Sequence, residues 1–381
     1  MNWKSVRLGD AATFVNGYAF KPSDWGSVGK EIIRIQNLTG SSKEKNYFAG
    51  SAPSKYHVRA GDLLISWSAT LGIYEWNQED AWLNQHIFKV VFDKLDFDKG
   101  FFRHLMGQLL ETMGRAVHGS TMKHITKKRF DNIQILYPSL EEQKQIATIL
   151  DAADELRQKD KALISKYDEL TQSLFLDIFG DLDGNIKYPI GKVGDLVTHV
   201  KDGPHVSPKY VENGFPIFST RNIRPFELIE GDVKYVSADT YKDLTKRFKP
   251  RKGDVLLTKG GTTGYAKIVD WDWDFCIWVH LAAIRVDQDK ASPKYLEAAL
   301  NSHYCYQQSQ QFTRGIANKD LGLTRMVKIK LPIPPIARQT QFAKRVQAIE
   351  SQKAIAQEGF NKSEQLFSSL LQKAFKGELT N

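Results

Sequence analysis

The chain has 381 residues, 53 Lys and Arg against 44 Asp and Glu, and a net charge of +9. That length exceeds one ordinary core and suits two or more domains. Hydrophobic residues make up 41% and charged residues 25%, no run of 18 apolar residues offers a membrane span, and the two cysteines stand far apart, excluding a disulfide framework or cysteine zinc site and fitting a reducing cytoplasm.

Taken in chain order, residues 1–138 mix short strand signals with loops and carry a net charge of +5. Ile32 to Leu38 alternates as a strand does, Asp62 to Trp67 and Ile87 to Phe92 are β-rich, and Phe101 to Met113 has helical spacing. Pro138 closes the block. Residues 139–185 carry a net of −6 and hold a run, Leu140 to Phe179, without proline or glycine. Its apolar or small positions Ile146, Ile149, Ala153, Leu156, Leu163, Tyr167, Leu170 and Leu174 step by threes and fours, the spacing of a coiled-coil seam. Asp160 interrupts it. Forty helical residues span about 60 Å.

Residues 186–333 carry a net of +7 and repeat the plan of the first block. Ile217–Ser219, Asp254–Thr258 and Leu281–Val286 read as strands, Pro293 to Gln311 as a helix, and Pro332, Pro334 and Pro335 close the block. Residues 334–381, net +3, supply a second long helix. Its seam carries Phe342, Ile349, Ala356, Leu366 and Leu370, weakened by Arg345, Gln352, Gly359 and Ser363.

The repeat is explicit. Gly61-Asp62 recurs as Gly253-Asp254, 192 positions on. Gln143, Gln145 and Ala147 recur as Gln339, Gln341 and Ala343 at an offset of 196, which also carries Phe179 onto Phe375. Leu8-Gly9-Asp10 recurs as Val193-Gly194-Asp195 at an offset of 185. Two equal units with two long helices of shared phase predict an α+β, pseudo-two-fold protein: two globular mixed blocks joined by antiparallel coiled-coil helices. A pseudo-two-fold protein with two basic blocks suits a two-fold polyanion such as DNA.

Catalytic signatures are missing. Leu331–Ile336 has prolines but not the polar and aromatic partners of a base-flipping methyltransferase loop. Thr258–Ala266 resembles a phosphate loop but lacks the GK[ST] ending. The informative residues are loop side chains able to reach base edges or phosphates. In the first block these are Lys21, Arg34, Gln36, Asn37, Ser66, Ser68, Thr70, Gln85, His86, Thr121, Lys123 and His124. In the second they are Lys201, Asp202, His205, Ser219, Thr220, Arg221, Asn222, Lys259, Thr262, Thr263, His280, Asn318 and Lys319. Singly, each is as well explained as an ordinary polar loop residue, and His86 and His280 as structural histidines. The signal is the set, because the loops diverge while the framework around them repeats.

The segments RAGDLL and RKGDVLL, the runs PSLEEQKQIATILD and PPIARQTQFAKRV, and the helix ends LFLDIFGD and LLQKAFKGEL resemble the specificity subunits of type I restriction–modification systems. The resemblance covers essentially the whole chain. It implies target-recognition domains at 1–138 and 186–333 separated by conserved helices at 139–185 and 334–381, each domain reading half of a split, asymmetric site in double-stranded DNA. It implies no catalysis in this cytoplasmic chain. Two modification subunits would bring S-adenosylmethionine for adenine N6 methylation, and restriction subunits would use ATP and Mg. A recognition part of a type II-like enzyme, or a coiled-coil scaffold that does not bind DNA, are the competing expectations.

Overall fold

The computed structural model describes residues 3–68, 70–116, 126–180, 184–316 and 318–379. The chain forms two compact units: Met1–Lys161 with Glu358–Asn381, and Ala162–Gln357. Both long helices are present, at Leu140–Phe179 and Ile336–Phe375, so the offset of 196 holds at both ends of the second. The units cut through these helices: each globular block closes over half of each one.

In the first unit, Lys4–Arg7 pairs antiparallel with Gln134–Tyr137. An antiparallel four-stranded sheet runs in the order Thr13–Asn16, Ile87–Val91, Leu63–Ser66, Gly72–Glu75. A second sheet runs Tyr47–Phe48, Lys30–Ile33, Ala81–Leu83, His57–Val58, with its central pair parallel. In the second unit, Ile190–Lys192 pairs with Lys330–Pro332. The four-stranded sheet is Val197–Asp202, Leu281–Val286, Val255–Thr258, Ala266–Ile268, and the second sheet is Lys234–Val236, Phe215–Phe218, Cys276–Ile277, again with a parallel pair. The four-stranded sheets match in order and sense and both second sheets hold a parallel pair, so the sequence repeat is a structural one; among the described residues no strand of the second unit matches His57–Val58. The second unit adds a small hairpin, Ile223–Arg224 with Glu227–Leu228.

The repeated motifs prove to be joints. In each Arg-x-Gly-Asp segment the aspartate carboxylate accepts the arginine's backbone N–H, at 2.9 Å from Asp62 to Arg59 and 3.0 Å from Asp254 to Arg251. Gly61 and Gly253 both take φ of +87°, where a side chain is disfavoured. Of the repeated glutamines, Gln143 and Gln339 are wholly buried. Gln143 accepts from the Asp98 N–H at 2.9 Å and donates to the Pro138 carbonyl at 3.0 Å. Gln339 accepts from the Ser292 N–H at 2.9 Å and donates to the Pro334 carbonyl at 2.8 Å. Each ties the start of a long helix to the loop entering the block's own helix, pairing backbone groups that burial would otherwise strand.

Within each unit the helix halves run antiparallel. In the first, Arg157 meets Glu364 at 2.9 Å and stacks over Phe367, while Phe101 packs on Phe375. In the second, Asp168 meets Lys353 at 2.6 Å, and Phe175 and Phe179 both pack on Phe342. The seam differs from the expected one. Ile146 and Ala153 are buried as expected, and Tyr167 and Leu174 half-buried, but Ile149, Leu156, Leu163 and Leu170 are 37–48% exposed. The inward line that completes the heptad is Leu150, Arg157, Ile164 and Thr171. The outward line is the more apolar, which misled the pattern; Arg157 is acceptable inside because Asp154 and Glu364 pair with it. On the second helix Phe342 and Ser363 are buried and Leu366 is exposed, Phe367 taking its place.

Two other expectations are corrected. The strand ends at Ile33, and Ile35–Leu38 is a helical turn, because Asn37 caps it. Pro293 to Gln311 is two helices, Pro293–Leu300 and His303–Phe312. At the break, the Asn301 amide bonds both backbone groups of Ala266, at 2.8 and 2.9 Å, and Ser302 caps the second helix. Cys276 and Cys305 are both buried and free. Among the described residues no helix is long and apolar enough to cross a membrane.

Candidate nucleic-acid interface

Each unit builds one concave surface at the same place. The parallel strand of the second sheet ends, and a capped turn follows. In the first unit the Arg34 N–H donates to Asn37 Oδ1 at 3.1 Å and the Asn37 amide donates to the Glu44 carbonyl at 2.8 Å. In the second the Ser219 N–H donates to Asn222 Oδ1 at 2.9 Å and the Asn222 amide donates to the Ile229 carbonyl at 3.1 Å. Opposite the turn stands the loop leaving strand Leu63–Ser66 or Val255–Thr258. The Trp67 N–H reaches the His86 carbonyl at 3.5 Å and the Lys259 N–H reaches the His280 carbonyl at 2.9 Å. Between turn and loop lie cavities of 480 and 490 Å³.

The first cavity collects six of the expected residues: Arg34, Gln36, Ser68, Thr70, Gln85 and His86. Thr70 and His86 are exposed and Gln36 half-exposed, and the buried Gln85 Oε1 has no hydrogen-bond partner among the described residues. Arg34 is largely wall: its side chain is 12% exposed and its guanidinium lies 5.2 Å over the Trp25 ring. Two residues expected to touch DNA instead build the fold. Ser66 is fully buried and its hydroxyl donates to the Thr70 carbonyl; the Asn37 side chain is spent on its turn. Lys21 is exposed but lies off this surface, its N–H bonded to Asp24. Thr121, Lys123 and His124 fall outside the described residues.

The second cavity collects Ser219, Thr220, Arg221, Asn222, His280, Asn318 and Lys319. The Arg221 side chain is 80% exposed, with only a 3.5 Å approach to Asp232, and His280, Asn318 and Lys319 are exposed. Asn222, at 2% exposure, holds the turn that presents Arg221. Lys259 is also structural: buried, it lies 3.0 Å from Asp202 and 3.4 Å from Asp320, so neither it nor Asp202 is a free contact. Thr263 is buried against Thr313, their hydroxyls 2.9 Å apart, whereas Thr262 is exposed outside the cavity. Lys201 and His205 line a neighbouring cleft. The loop Thr258–Ala266 joins two antiparallel strands; no helix N-terminus follows it, so it lacks the phosphate-binding geometry its glycines suggest.

Sequence reasoning missed Trp25 and Asn84 in the first cavity and Tyr210, Lys234 and Trp278 in the second. Asn84 and Trp278 directly follow equivalent strands, and the buried Trp278 Nε1 has no hydrogen-bond partner among the described residues. The sequence signal for this pair was their shared position two residues before His86 and His280.

The family model for the type I restriction modification DNA specificity domain matches residues 1–166 and again 192–364. The chain belongs to that family. Each match contains one of the two capped-turn cavities. The type I restriction enzyme EcoBI specificity subunit of Escherichia coli is 25% identical over 413 residues, covering all of this chain and 86% of that protein. The MjaVIII specificity subunit of Methanocaldococcus jannaschii is 22% identical over 92% of this chain and 86% of its own length. Among solved structures, the S subunit of a type I restriction–modification system from M. genitalium superposes with a TM-score of 0.58 at 14% identity, covering 98% of this chain and 96% of that one. A chain from work on complex assembly and conformational transition of the type I system gives 0.55 at 18% identity, covering 99% and 98%. The fold of this type I specificity protein is therefore that of its family: mixed α+β units repeated about paired long helices.

Proposed function

We propose that the two cavities are the base-reading surfaces, each reading one half of a bipartite, asymmetric site in double-stranded DNA. The observation that carries this reading is that equivalent capped turns present different side chains over equivalent cavities. Gln36, Thr70 and His86 stand in one; Arg221, His280, Asn318 and Lys319 stand in the other. Glutamine pairs with adenine and arginine with guanine in the major groove, so the same frame specifies two sequences. The chain itself is non-catalytic. Two modification subunits bring S-adenosylmethionine and methylate adenine at N6, and restriction subunits bring ATP- and Mg-dependent cleavage. The outward Ile149 and Leu156 of one helix half, and Leu163 and Leu170 of the other, support protein docking along that helix. All of this proceeds in the cytoplasm.

The test is to map methylated adenines in DNA from cells carrying the complete system, then repeat with Arg221→Ala and with Gln36→Ala. Each is expected to relax one half-site, at about 1–3 kcal/mol for a true base contact, and leave the other intact. Loss of discrimination in both halves from either change, or methyl transfer to DNA by this chain alone, would overturn the reading.

A further inference from the structure

Beside the reading cavity of the second unit lies a cleft of 760 Å³, lined in part by Lys201, His205, Lys246 and Arg247; a shallower concavity of 620 Å³ next to it adds Arg251. The two clefts sit on the segment Lys246–Lys252, which holds five cations in seven residues. The fold treats those cations unequally. Lys249 lies 2.7 Å from Asp274, Lys252 2.8 Å from Asp272, and the nearby Arg285 binds Asp254 through two nitrogens at 3.0 and 2.9 Å. Lys201, Lys246, Arg247 and Arg251 are exposed and form no ion pair among the described residues. The carboxylates facing this surface are Asp202, already bound by Lys259, and Asp243, so a positive excess remains.

A cation at the C-terminal end of helix Ala238–Thr245 is favoured by the helix dipole. That accounts for Lys246 alone; Arg247 and Arg251 lie beyond the helix, and Lys201 arrives from another strand. The segment is held in place: the Arg285 guanidinium lies 4.5 Å over the Phe248 ring and Pro250 is buried. Three uncompensated cations on a held loop, with Lys201 beside them, concentrate positive potential. The first unit holds fewer cations here. Its equivalents by the repeat are Asn16, Ser54, Lys55 and Arg59, and the Lys55 ammonium sits over the Tyr56 ring.

We propose that Lys201, Lys246, Arg247 and Arg251, in the second unit, form a sequence-independent clamp on the phosphate backbone of duplex DNA. This rests on the reading of the adjacent cavity as a DNA surface. The two are contiguous, since Lys259 joins Asp202, on the wall of the cleft, to Asp320, the neighbour of Lys319 in the cavity. These side chains line clefts beside the reading cavity and not the cavity itself, so they add affinity and register rather than sequence choice.

The experiment measures binding of the intact chain to a labelled duplex of random sequence by fluorescence anisotropy, across a salt series. The variant is Lys201→Gln, Lys246→Gln, Arg247→Gln and Arg251→Gln together. A comparison variant removes the same charge from the long helices: Lys161→Gln, Lys166→Gln, Lys344→Gln and Arg345→Gln. Each lost phosphate contact lowers the slope of log K against log salt by about 0.9, so the clamp variant should lose roughly 3–4 and bind at least about tenfold more weakly at low salt. The helix variant should lose less than about 1. Arg251→Gln alone, which changes one exposed side chain, should lose about 0.9. Equal slopes for the wild type and the clamp variant, or equal losses in the clamp and helix variants, would overturn the clamp while leaving the DNA reading intact. A wild type that does not bind duplex DNA at all would instead overturn the proposed function.

Discussion

The two units share a frame and differ in what stands on it. The order of the four-stranded sheet, a parallel pair in the other sheet, the Arg-x-Gly-Asp turn, the buried glutamine and the capped turn recur at matching positions. Apart from His86 and His280, the side chains above the turn differ: Gln36 faces one cavity where Arg221 faces the other, and Lys246–Lys252 holds five Lys or Arg where 54–60 holds two. The buried repeated residues satisfy backbone groups, and most divergent ones face outward; His86 and His280 recur although exposed. The two asparagines show how close these classes lie. Asn37 and Asn222 look like base readers by composition, yet they recur, and each closes a turn.

The largest test of that division is Gln143→Leu against Gln339→Leu. Each change leaves buried backbone groups without partners at about 1–3 kcal/mol apiece, so a loss of roughly 3 kcal/mol or more is expected. Hydrogen exchange should show it in the substituted unit only. Equal loosening of both units would mean that the frame is not duplicated in energy as it is in geometry. Next comes Asn222→Ala, which unties Ser219 and Ile229 and should cost about 2 kcal/mol. It should also abolish reading of one half-site, because the whole turn shifts. Arg221→Ala should damage the same half-site with the melting temperature unchanged. If the two variants were equally stable, Asn222 would be a reader after all.

The smallest effect is a pH dependence confined to the first unit. His104 is buried and its Nε2 lies 2.7 Å from Asp151. Burial outweighs that hydrogen bond and holds the imidazole below its ordinary value. The folded state therefore binds the proton less readily than the unfolded chain. The stabilising contribution is complete above the unfolded value, about 6.5, and is lost as pH falls through it. The second unit has Ala298 at the equivalent position. First-unit amides should lose protection as pH falls from neutral toward 5, second-unit amides should not, and His104→Gln should flatten the difference. Equal pH sensitivity in both units would assign the effect elsewhere.

The sequence by itself determined the repeat, the bounds of both long helices, the α+β character and the family. These follow from local signals: proline and glycine at the helix ends, β-rich runs, and motifs whose partners lie a few residues away. Asp62 and Asp254 close their turns three residues back, so their role travels with the motif. Tertiary structure alone decided which heptad line faces inward, since Arg157 enters the seam because of Glu364, 207 positions away. It decided that Asn301 breaks a helix to bond Ala266, and that Lys259 is buried between Asp202 and Asp320 while Lys246, Arg247 and Arg251 stay free. A cation's availability depends on which carboxylates the fold brings to it. Composition counts charges; only the packed chain pairs them.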